Sequence, residues 1–280
     1  MPVAQTSQIS DSPSLQVLPT GGALGAEICG VDLARPLSPD TIQQIHRALL
    51  NHYVLFFRRQ HISEEEQVRF TAYFGTPVEH VREQPDRAIK EIFLISNIVA
   101  NGKPIGALGN DELTFHSDLS YLPQPGRISM LYAVELPRVG GETQWCNCHA
   151  AYEALDEAMK ARLRGLRAIH RHPIARQNHP VTVTQPLIRT HPETGQKALF
   201  ISPQFTRAIV GLDLDESDEL LMFLFAHMTQ PQFVWTHDWQ LGDLVMWDNR
   251  PTMHRRATFP ATERRLLKRT QIFNDETPYE

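Results

Sequence analysis

The chain has 280 residues, a length that corresponds to about two domains of roughly 150 residues each, although all-β folds often use it for one. Hydrophobic residues make up 41% and charged residues 21%, which is close to ordinary globular usage and allows a substantial buried core. The net charge of −5 argues against a general nucleic-acid-binding protein, which normally carries a basic excess.

The start of the chain, residues 1–14, is polar and rich in serine and glutamine, so we expect a flexible tail followed by one folded domain at residues 15–280. The first residues lack the basic start and apolar core of a secretion signal, and no segment approaches the ~20 apolar residues that span a bilayer. The three cysteines, Cys29, Cys146 and Cys148, do not form a disulfide framework pattern. We therefore expect a cytoplasmic protein without a membrane segment.

Two helices and a strand are predicted between residues 38 and 75. Ser38 is a candidate N-cap with a proline behind it, and apolar residues then recur at helical spacing until Asn51. The apolar and aromatic run at residues 54–57 is typical of a buried strand. Ser63 begins a capping-box motif, which predicts a second helix that ends at Gly75.

A strand is predicted at residues 92–95, and the glycines and prolines of residues 101–112 predict a loop. That loop leads directly into residues 116–118, which read His-Ser-Asp. Because a strand turns every second side chain to the same face, His116 and Asp118 can bind one metal ion while the serine between them points away. The preceding loop is placed to close over a group bound there.

The second half of the chain contains two apolar stripes at helical spacing, within residues 152–163 and 220–228, and a strand-like apolar run at residues 244–247. Short strands separated by glycine and proline turns, together with several helices, favour a mainly β fold with added α-helices. We predict a double-stranded β-helix, or jelly-roll, core decorated with helices.

His254 follows the strand-like run, so a third metal ligand can reach His116 and Asp118 from a neighbouring strand. Two histidines and one carboxylate occupy one face of an octahedral Fe(II) ion and leave the opposite face open for substrates and oxygen. A His-x-Asp motif alone is a weak signal. If His116 and His254 share a metal, most of the chain must fold around one centre.

Other histidine and cysteine clusters are weaker candidates. Residues 146–149 read Cys-Asn-Cys-His, but a structural zinc site needs a second ligand pair that the chain lacks. His170, His172 and His179 lie in a basic stretch that either lines a substrate entrance or belongs to a solvated surface or mobile lid. A glycine-rich phosphate loop and a Gly-x-Ser-x-Gly motif are both absent, which weakens nucleotide-binding and hydrolase interpretations.

A series of short motifs extends over nearly the whole chain, and their combination is far more specific than the three ligands alone. They are found at residues 20–26, 54–58, 74–75, 115–118, 140–143, 150–155, 189–192 and 247–250. In this order they resemble the Fe(II)- and 2-oxoglutarate-dependent dioxygenases, the family that includes taurine dioxygenase and chlorophenoxyacetate dioxygenase.

The resemblance implies that His116, Asp118 and His254 are the iron ligands, and that Thr143 and Arg265 hold the distal carboxylate of 2-oxoglutarate. A dicarboxylate whose other end chelates iron has a second charge to neutralise in a partly dry pocket. An arginine provides two parallel, charge-assisted hydrogen bonds, and a threonine hydroxyl adds a third donor.

Adjacent strand residues face opposite sides, so only one of Arg264 and Arg265 points inward, and the resemblance favours Arg265.

Two further residues are candidates for binding the primary substrate. Arg269 lies on the same strand face as Arg265 and matches the arginine that binds the substrate anion in the family. Alternatively, Arg269 forms an ion pair with a nearby acid. His80 aligns loosely with a substrate-binding histidine, or else is a partly buried polar residue.

By this resemblance the protein uses Fe(II), 2-oxoglutarate and O2 to hydroxylate, and in some cases thereby cleave, a small anionic molecule such as a sulfonate, a phenoxyalkanoate or an amino-acid-like acid. Succinate and CO2 are the other products, and a homodimer or homotetramer is expected. Two alternatives remain: a metal-dependent hydrolase in which the same ligands activate water, and a non-catalytic jelly-roll protein that holds a metal. Neither alternative requires a buried cationic side chain that binds a dicarboxylate.

Overall fold

The computed structural model describes residues 15–81, 84, 87–172 and 182–280. The tail predicted at residues 1–14 lies outside these described residues. Within them the chain forms mainly β-strands, with shorter helical segments between them. The helices are α1 (Pro39–His52), α2 (Glu64–Ala72), α3 (Cys148–Glu153), α4 (Glu157–Leu163) and α5 (Leu214–Met228), and a 3-10 turn covers Pro231–Phe233.

The strands fall into two main sheets, one three-stranded sheet and two small hairpins. They are β1 (Gln16–Pro19), β2 (Ala26–Cys29), β3 (Val54–Phe57), β4 (Phe93–Ser96), β5 (Val99–Ala100), β6 (Lys103–Pro104), β7 (Ala107–Leu108), β8 (Leu113–His116), β9 (Gly126–Glu135), β10 (Thr143–Asn147), β11 (Arg167–His170), β12 (Val183–Pro186), β13 (Ile188–Thr190), β14 (Lys197–Leu199), β15 (Thr206–Ile209), β16 (Val234–His237), β17 (Leu244–Asp248), β18 (Thr252–Arg256) and β19 (Leu266–Phe273).

Side-chain caps begin both N-terminal helices where the sequence predicted them. Ser38 accepts a hydrogen bond from the backbone N–H of Thr41 at 3.2 Å, which caps α1. Ser63 accepts from the N–H of Glu66 at 3.2 Å, and the Glu66 carboxylate accepts from the N–H of Ser63 at 2.8 Å. The predicted capping box is therefore present at the start of α2, where it pairs N–H groups that the helix leaves free.

The predicted end of α2 at Gly75 is wrong, because the helix ends at Ala72. The N–H groups of Tyr73 and Phe74 bond three residues back, so the chain tightens before it leaves the helix. Gly75 then adopts a φ of 149°, and a Cβ placed there would lie 2.8 Å from Cγ2 of Ile272. The glycine therefore marks a close approach to β19 and not the last helical turn.

The larger sheet has eight strands in the order β1-β2-β3-β17-β9-β19-β4-β7. Both faces of its centre are covered: Val54 and Phe56 of β3 belong to the core against the second sheet, whereas Leu55 and Phe57 pack towards α1 and α2. The same alternation holds along β17. Two covered faces explain why residues 54–57 and 244–247 read as continuous apolar runs, and both predicted strands are confirmed.

The second sheet has four strands in the order β16-β10-β18-β8, and it packs against the larger one. Trp145 of the small sheet and Trp247 of the large sheet meet edge to face, with ring centroids 5.6 Å apart. Two facing, largely antiparallel sheets with helices outside them form the predicted jelly-roll core decorated with helices. The fold-class prediction is confirmed.

Helices α3, α4 and α5 pack with the outer face of the small sheet and the three-stranded sheet in a separate apolar core. The stripe at residues 152–163 predicted one helix, but the chain forms two. Asp156 breaks the stripe by accepting a hydrogen bond from the N–H of Met159 at 2.7 Å, which starts α4. None of the helices in the described part of the chain is long and apolar enough to cross a membrane.

Residues 101–112 are more ordered than the predicted loop. The two-residue strand β6 pairs with β5, and β7 pairs in parallel with β4 at the edge of the large sheet. The strand predicted at residues 92–95 is shifted by one residue, to Phe93–Ser96. This segment therefore carries Leu108, at a φ of 72°, to the wall of a cavity that His116 and Asp118 also border.

Candidate active site

Two histidines face each other across neighbouring strands of the small sheet. His116 is the last residue of β8, and its antiparallel partner is His254 in the middle of β18. Their ring centroids lie 4.3 Å apart, and both side chains are buried. Residues directly opposite in a ladder share one face, which here is the face towards the large sheet. As predicted, His254 arrives from a strand beside His116.

Strand alternation predicted Asp118 on the same strand as His116, but Asp118 lies in the turn after β8. Asn249 takes the place of a strand partner: its carbonyl accepts from the Ser117 hydroxyl at 2.8 Å, and its side-chain oxygen accepts from the Asp118 N–H at 3.2 Å. The outcome for the site is the same, since one ligand atom from each of His116, Asp118 and His254 lies within 4.8 Å of the others.

The two oxygens of the Asp118 carboxylate have different surroundings. Oδ2 accepts hydrogen bonds from Ser129 at 2.7 Å and from the Gln271 amide at 3.1 Å. Oδ1 lies 3.8 Å from Nε2 of His116 and 3.5 Å from a guanidinium nitrogen of Arg269. Burial alone would raise the pKa of Asp118, but the charge of Arg269 and the hydrogen bond from Ser129 hold it well below its usual range. The aspartate is therefore ionised and offers Oδ1.

The two imidazoles are prepared to act as neutral ligands. Burial lowers the pKa of His116, and it lowers the pKa of His254 to about 3. The Nδ1–H group of His116 donates to the carbonyl of Thr114 at 2.8 Å, which leaves Nε2 with a free lone pair. Two neutral imidazoles and one carboxylate fit Fe(II). Of the residues that the structure describes, no other group of three such side chains converges in this way.

Two adjacent rows of side chains cross the inner face of the small sheet. The first row consists of Trp235, Trp145, His254 and His116, and the second consists of His237, Thr143 and Arg256. Along the first row, consecutive ring centroids lie 5.8, 6.4 and 4.3 Å apart. The register of β10 and β18 therefore places Thr143 and the candidate ligand His254 on the same face.

Thr143 and Arg265 both lie deep in the protein, each 2% exposed. The Thr143 hydroxyl accepts from Nε1 of Trp239 at 3.0 Å. The Arg265 guanidinium makes one long contact, 3.4 Å to the carbonyl of Gly141, and its Nε has no partner in the described part of the chain. Burial, followed by the charge of Arg256, lowers the pKa of Arg265 to about 9. A buried guanidinium with so few partners fits a carboxylate ligand.

The neighbouring arginines face opposite sides, as the sequence predicted. Arg264 is exposed and forms two hydrogen bonds with Glu135, at 2.7 and 2.9 Å. The backbone of Arg265 is fixed on both sides, because its N–H donates to the Asn97 side chain at 3.0 Å and its carbonyl accepts from Ser96 at 2.8 Å. The chain thus holds Arg265 inward immediately before β19.

Arg269 and His80 border one cavity, together with the candidate ligands His116 and Asp118. The Arg269 guanidinium lies 5.1 Å from the ring centroid of Phe93, and the imidazole of His80 lies 4.1 Å from the same ring. The acid that the sequence left as an alternative partner of Arg269 is Asp118 itself. Both candidate substrate residues therefore lie beside the candidate metal ligands, against an aromatic wall.

Several site residues were missed by the sequence reading. Gln271 lies two residues beyond Arg269 on the same strand face, so strand alternation was an available signal for it. In the same way, Arg256 lies two residues beyond His254 on the same face of β18. Ser129 carries no such signal, since only the pairing of β9 with β19 brings it to Asp118. His172 was not missed, because the sequence offered a substrate entrance as one of two positions for it, and it does border the cavity.

Among the described residues, the other histidine and cysteine motifs do not bring three metal-binding side chains together. Cys146 is buried and donates to the carbonyl of Met228 at 3.0 Å, while Nδ1 of His149 bonds the carbonyl of Lys197 at 2.8 Å. His170 does not belong to a surface or lid, because it is fully buried and bonds the Ser120 hydroxyl at 3.0 Å. His179 lies outside the described residues.

Comparison with known proteins agrees with this geometry. The profile of the family described as taurine catabolism dioxygenase TauD, TfdA family matches residues 16–271. The chain is 36% identical to an alpha-ketoglutarate-dependent 2,4-dichlorophenoxyacetate dioxygenase of Cupriavidus pinatubonensis, over 88% of this chain and 93% of that protein. It is 34% identical to pentalenolactone F synthase of Streptomyces avermitilis, over 91% and 93% of the two chains.

Solved structures show the same likeness. A taurine dioxygenase from Burkholderia xenovorans superposes with a TM-score of 0.83 at 37% identity, covering 95% of this chain and 91% of that one. AAD-2, solved in complex with Mn(II) and N-oxalylglycine, superposes with a TM-score of 0.82 at 30% identity and covers 95% and 100% of the two chains.

Proposed function

This chain belongs to the TauD/TfdA family of dioxygenases, which use Fe(II), 2-oxoglutarate and O2, and from that premise we propose that it hydroxylates a small anionic organic molecule with release of succinate and CO2. Hydroxylation of a carbon next to a heteroatom also cleaves the molecule, and such cleavage is included in the proposal. Sulfonates, phenoxyalkanoates and amino-acid-like acids are the substrate classes to test.

One observation carries the proposal: His116, Asp118 and His254 bring ligand atoms within 4.8 Å of one another, and the first two of them border the cavity that contains Arg269. In this assignment the three residues hold Fe(II). When bound there, iron would activate O2, with 2-oxoglutarate oxidised to succinate and CO2 by one oxygen atom and the substrate hydroxylated by the other. The protein supplies two neutral imidazoles, one ionised carboxylate oxygen and a largely buried surrounding that restricts water.

The distal carboxylate of 2-oxoglutarate is assigned to Thr143 and Arg265. Both are buried, and Gly141 leaves room beside the guanidinium, since a Cβ there would lie 3.3 Å from Nε of Arg265. A metal-dependent hydrolase or a metal-holding binding protein has no use for a buried cation of this kind. The assignment therefore distinguishes the oxygenase from the two alternatives on physical grounds.

Arg269 and His80 are assigned to the primary substrate. The guanidinium supplies charge-assisted hydrogen bonds to a sulfonate or carboxylate, and His80 supplies a further polar contact. The side chains of Phe93, Tyr121 and Phe205 form much of the rest of the wall. An acid with an aromatic or alkyl body matches these contacts better than a small, uniformly polar molecule, because the body replaces water against the rings.

The test has two steps. Anaerobic addition of Fe(II) and then 2-oxoglutarate should produce the weak visible charge-transfer band of a chelate, and a panel of sulfonates, phenoxyalkanoates and amino-acid-like acids should then be screened for substrate-stimulated succinate formation. Product mass distinguishes an added oxygen from a cleaved fragment. If folded, metal-loaded protein gave no band and no succinate with any compound, the proposed function would be wrong.

We also infer that residues 15–280 act as one domain and that the protein assembles as a homodimer or homotetramer. The large sheet supports the first inference, because it pairs β3 from the start of the chain with β17 from its end. The exposed apolar side chains of Leu214, Met222 and Phe223 on α5 support a contact between copies. Light scattering coupled to size-exclusion chromatography measures the assembly directly.

A further inference from the structure

We propose that Arg256 is a second cationic residue of the site for the distal carboxylate of 2-oxoglutarate, beside Arg265; this inference rests on the proposed function. Arg256 is the last residue of β18 and is 4% exposed. Its antiparallel partner on β10 is Thr143, and His254 lies two residues earlier on the same strand. Strand geometry therefore turns Arg256 to the face that carries Thr143 and the ligand His254.

The contacts of the Arg256 guanidinium leave part of it unused. Nη2 donates to the carbonyls of Leu108, at 3.0 Å, and Asp111. Nε and Nη1 are buried and have no hydrogen-bond partner within the described residues, and the same is true of Nε of Arg265. Buried donors without partners cost free energy, so an anion that accepts from both arginines would complete the site.

The two arginines also lack the counter-charge that buried arginines normally have. The charge of Asp111 acts on Arg256 only from beyond ion-pair distance. In the described part of the chain, neither guanidinium has a carboxylate within ion-pair distance. The buried Arg250, by contrast, is paired with the carboxylates of two other residues. A ligand carboxylate fits this local excess of positive charge.

The position of Arg256 favours the cosubstrate over the primary substrate. The cavity that contains Arg269 is bordered by neither Arg256, Arg265 nor Thr143. Leu108, whose carbonyl Arg256 binds, does border that cavity. Arg256 therefore also fixes the backbone of one substrate-cavity wall while its free N–H groups remain for the diacid.

The experiment compares two keto acids on the iron-loaded protein under anaerobic conditions. 2-Oxoglutarate carries the distal carboxylate, whereas 2-oxobutyrate has the same keto-acid end without it. Arg256→Met should weaken 2-oxoglutarate binding roughly tenfold to a hundredfold, the range for a lost charge-assisted hydrogen bond, and should leave 2-oxobutyrate binding within about twofold. Titration of the charge-transfer band, or calorimetry, reports both dissociation constants without turnover.

The matched control is Arg255→Met, which removes the same charge one residue away. Arg255 points to the other face, where it bonds Gln144 at 2.5 Å and Glu112 at 3.2 Å, so both keto acids should bind this variant normally. An unchanged 2-oxoglutarate affinity in Arg256→Met, or equal weakening of both keto acids, would overturn the inference. If Arg256→Met does not fold, Arg256→Lys decides by the same comparison, because lysine keeps the positive charge but cannot form the two parallel hydrogen bonds of a guanidinium.

Failure of the proposed function gives a different result. In that case the wild-type protein binds neither keto acid at the metal, and no comparison between variants arises. Wild-type binding of 2-oxoglutarate with an unaffected Arg256→Met variant rejects the inference alone.

Discussion

Ser129 donates its hydroxyl to Oδ2 of Asp118 at 2.7 Å, and the interaction joins the large sheet to the candidate metal ligand. The amides of Gln271 and Asn249 each donate to the same Ser129 oxygen at 3.0 Å. One carboxylate oxygen is thereby engaged by the protein, and the other remains on the side of the histidines. Loss of a group that orients a metal ligand in this way typically costs about tenfold to a hundredfold in metal affinity.

Ser129→Ala should therefore weaken Fe(II) binding roughly tenfold to a hundredfold, because the Asp118 carboxylate loses the donor that fixes its orientation. Anaerobic titration with Fe(II), or with Mn(II) as a stable substitute, measures the affinity. Thr270→Val is the control, since it removes a buried hydroxyl bonded to Thr71 at 2.7 Å on the other face of β19. Equal metal affinity in Ser129→Ala and wild type would remove Ser129 from this role.

Arg265→Ala should raise the concentration of 2-oxoglutarate needed for half-maximal turnover by roughly a hundredfold, and leave Fe(II) affinity nearly unchanged. The lost guanidinium binds the cosubstrate and not the metal in our assignment. Arg264→Ala is the matched control, because that side chain is exposed and pairs only with Glu135 in the described structure. The assignment fails if the 2-oxoglutarate requirement of Arg265→Ala equals that of the control.

Arg269→Met should uncouple the reaction. Without the guanidinium, the anionic substrate is held loosely beside the metal, so 2-oxoglutarate is consumed without matching product, and the substrate KM rises on the order of tenfold or more. Succinate and hydroxylated product are measured in the same sample. Lys268→Met is the control, since Lys268 turns to the other face and pairs with Glu64 at 3.1 Å. Unchanged coupling in Arg269→Met would exclude it from the substrate site.

Much of the architecture was predictable because local and global preferences agree. The starts of α1 and α2 depend on the capping side chains of Ser38 and Ser63, which can be recognised in the sequence. The strands at residues 54–57 and 244–247 are covered on both faces, so they appear in the sequence as continuous apolar runs. Asp118 is a different case. Strand alternation predicted the correct partner for His116, although Asp118 reaches the site from a turn that Asn249 holds.

Features that depend on strand register were not predictable. Strand alternation from His254 gives the face of Arg256, but its partner Thr143 depends on the pairing of β10 with β18, which no pattern within residues 252–256 fixes. Likewise, the apolar stripe at residues 152–163 carries no period that reveals the break at Asp156, where a local cap outweighs continued helix. His170 looked like a surface residue because its neighbours in sequence are basic, whereas its neighbours in space are Ser120 and Phe200.

The acid stability of the protein should depend on Glu193, which ties the β13–β14 hairpin to the turn before β18. Its carboxylate accepts from Arg250 at 2.7 Å and lies 3.0 Å from Nε2 of His46, and these two contacts lower the pKa of Glu193 to about 2. A folded-state pKa below the ordinary value of 4.5 stabilises the fold fully above pH 4.5, and this stabilisation is lost as pH falls towards 2.

Glu193→Gln should therefore lower the free energy of unfolding at pH 7 by about 1–2 kcal/mol, allowing for the partial exposure of the carboxylate. The difference from wild type should shrink as pH falls from 5 to 3, because the wild-type protein then loses the same interaction. Urea unfolding of both proteins at several pH values measures it. Glu157→Gln, at an exposed pair with Lys160, should show no comparable change. A difference that stayed constant with pH would mean that the charge of Glu193 does not stabilise this turn.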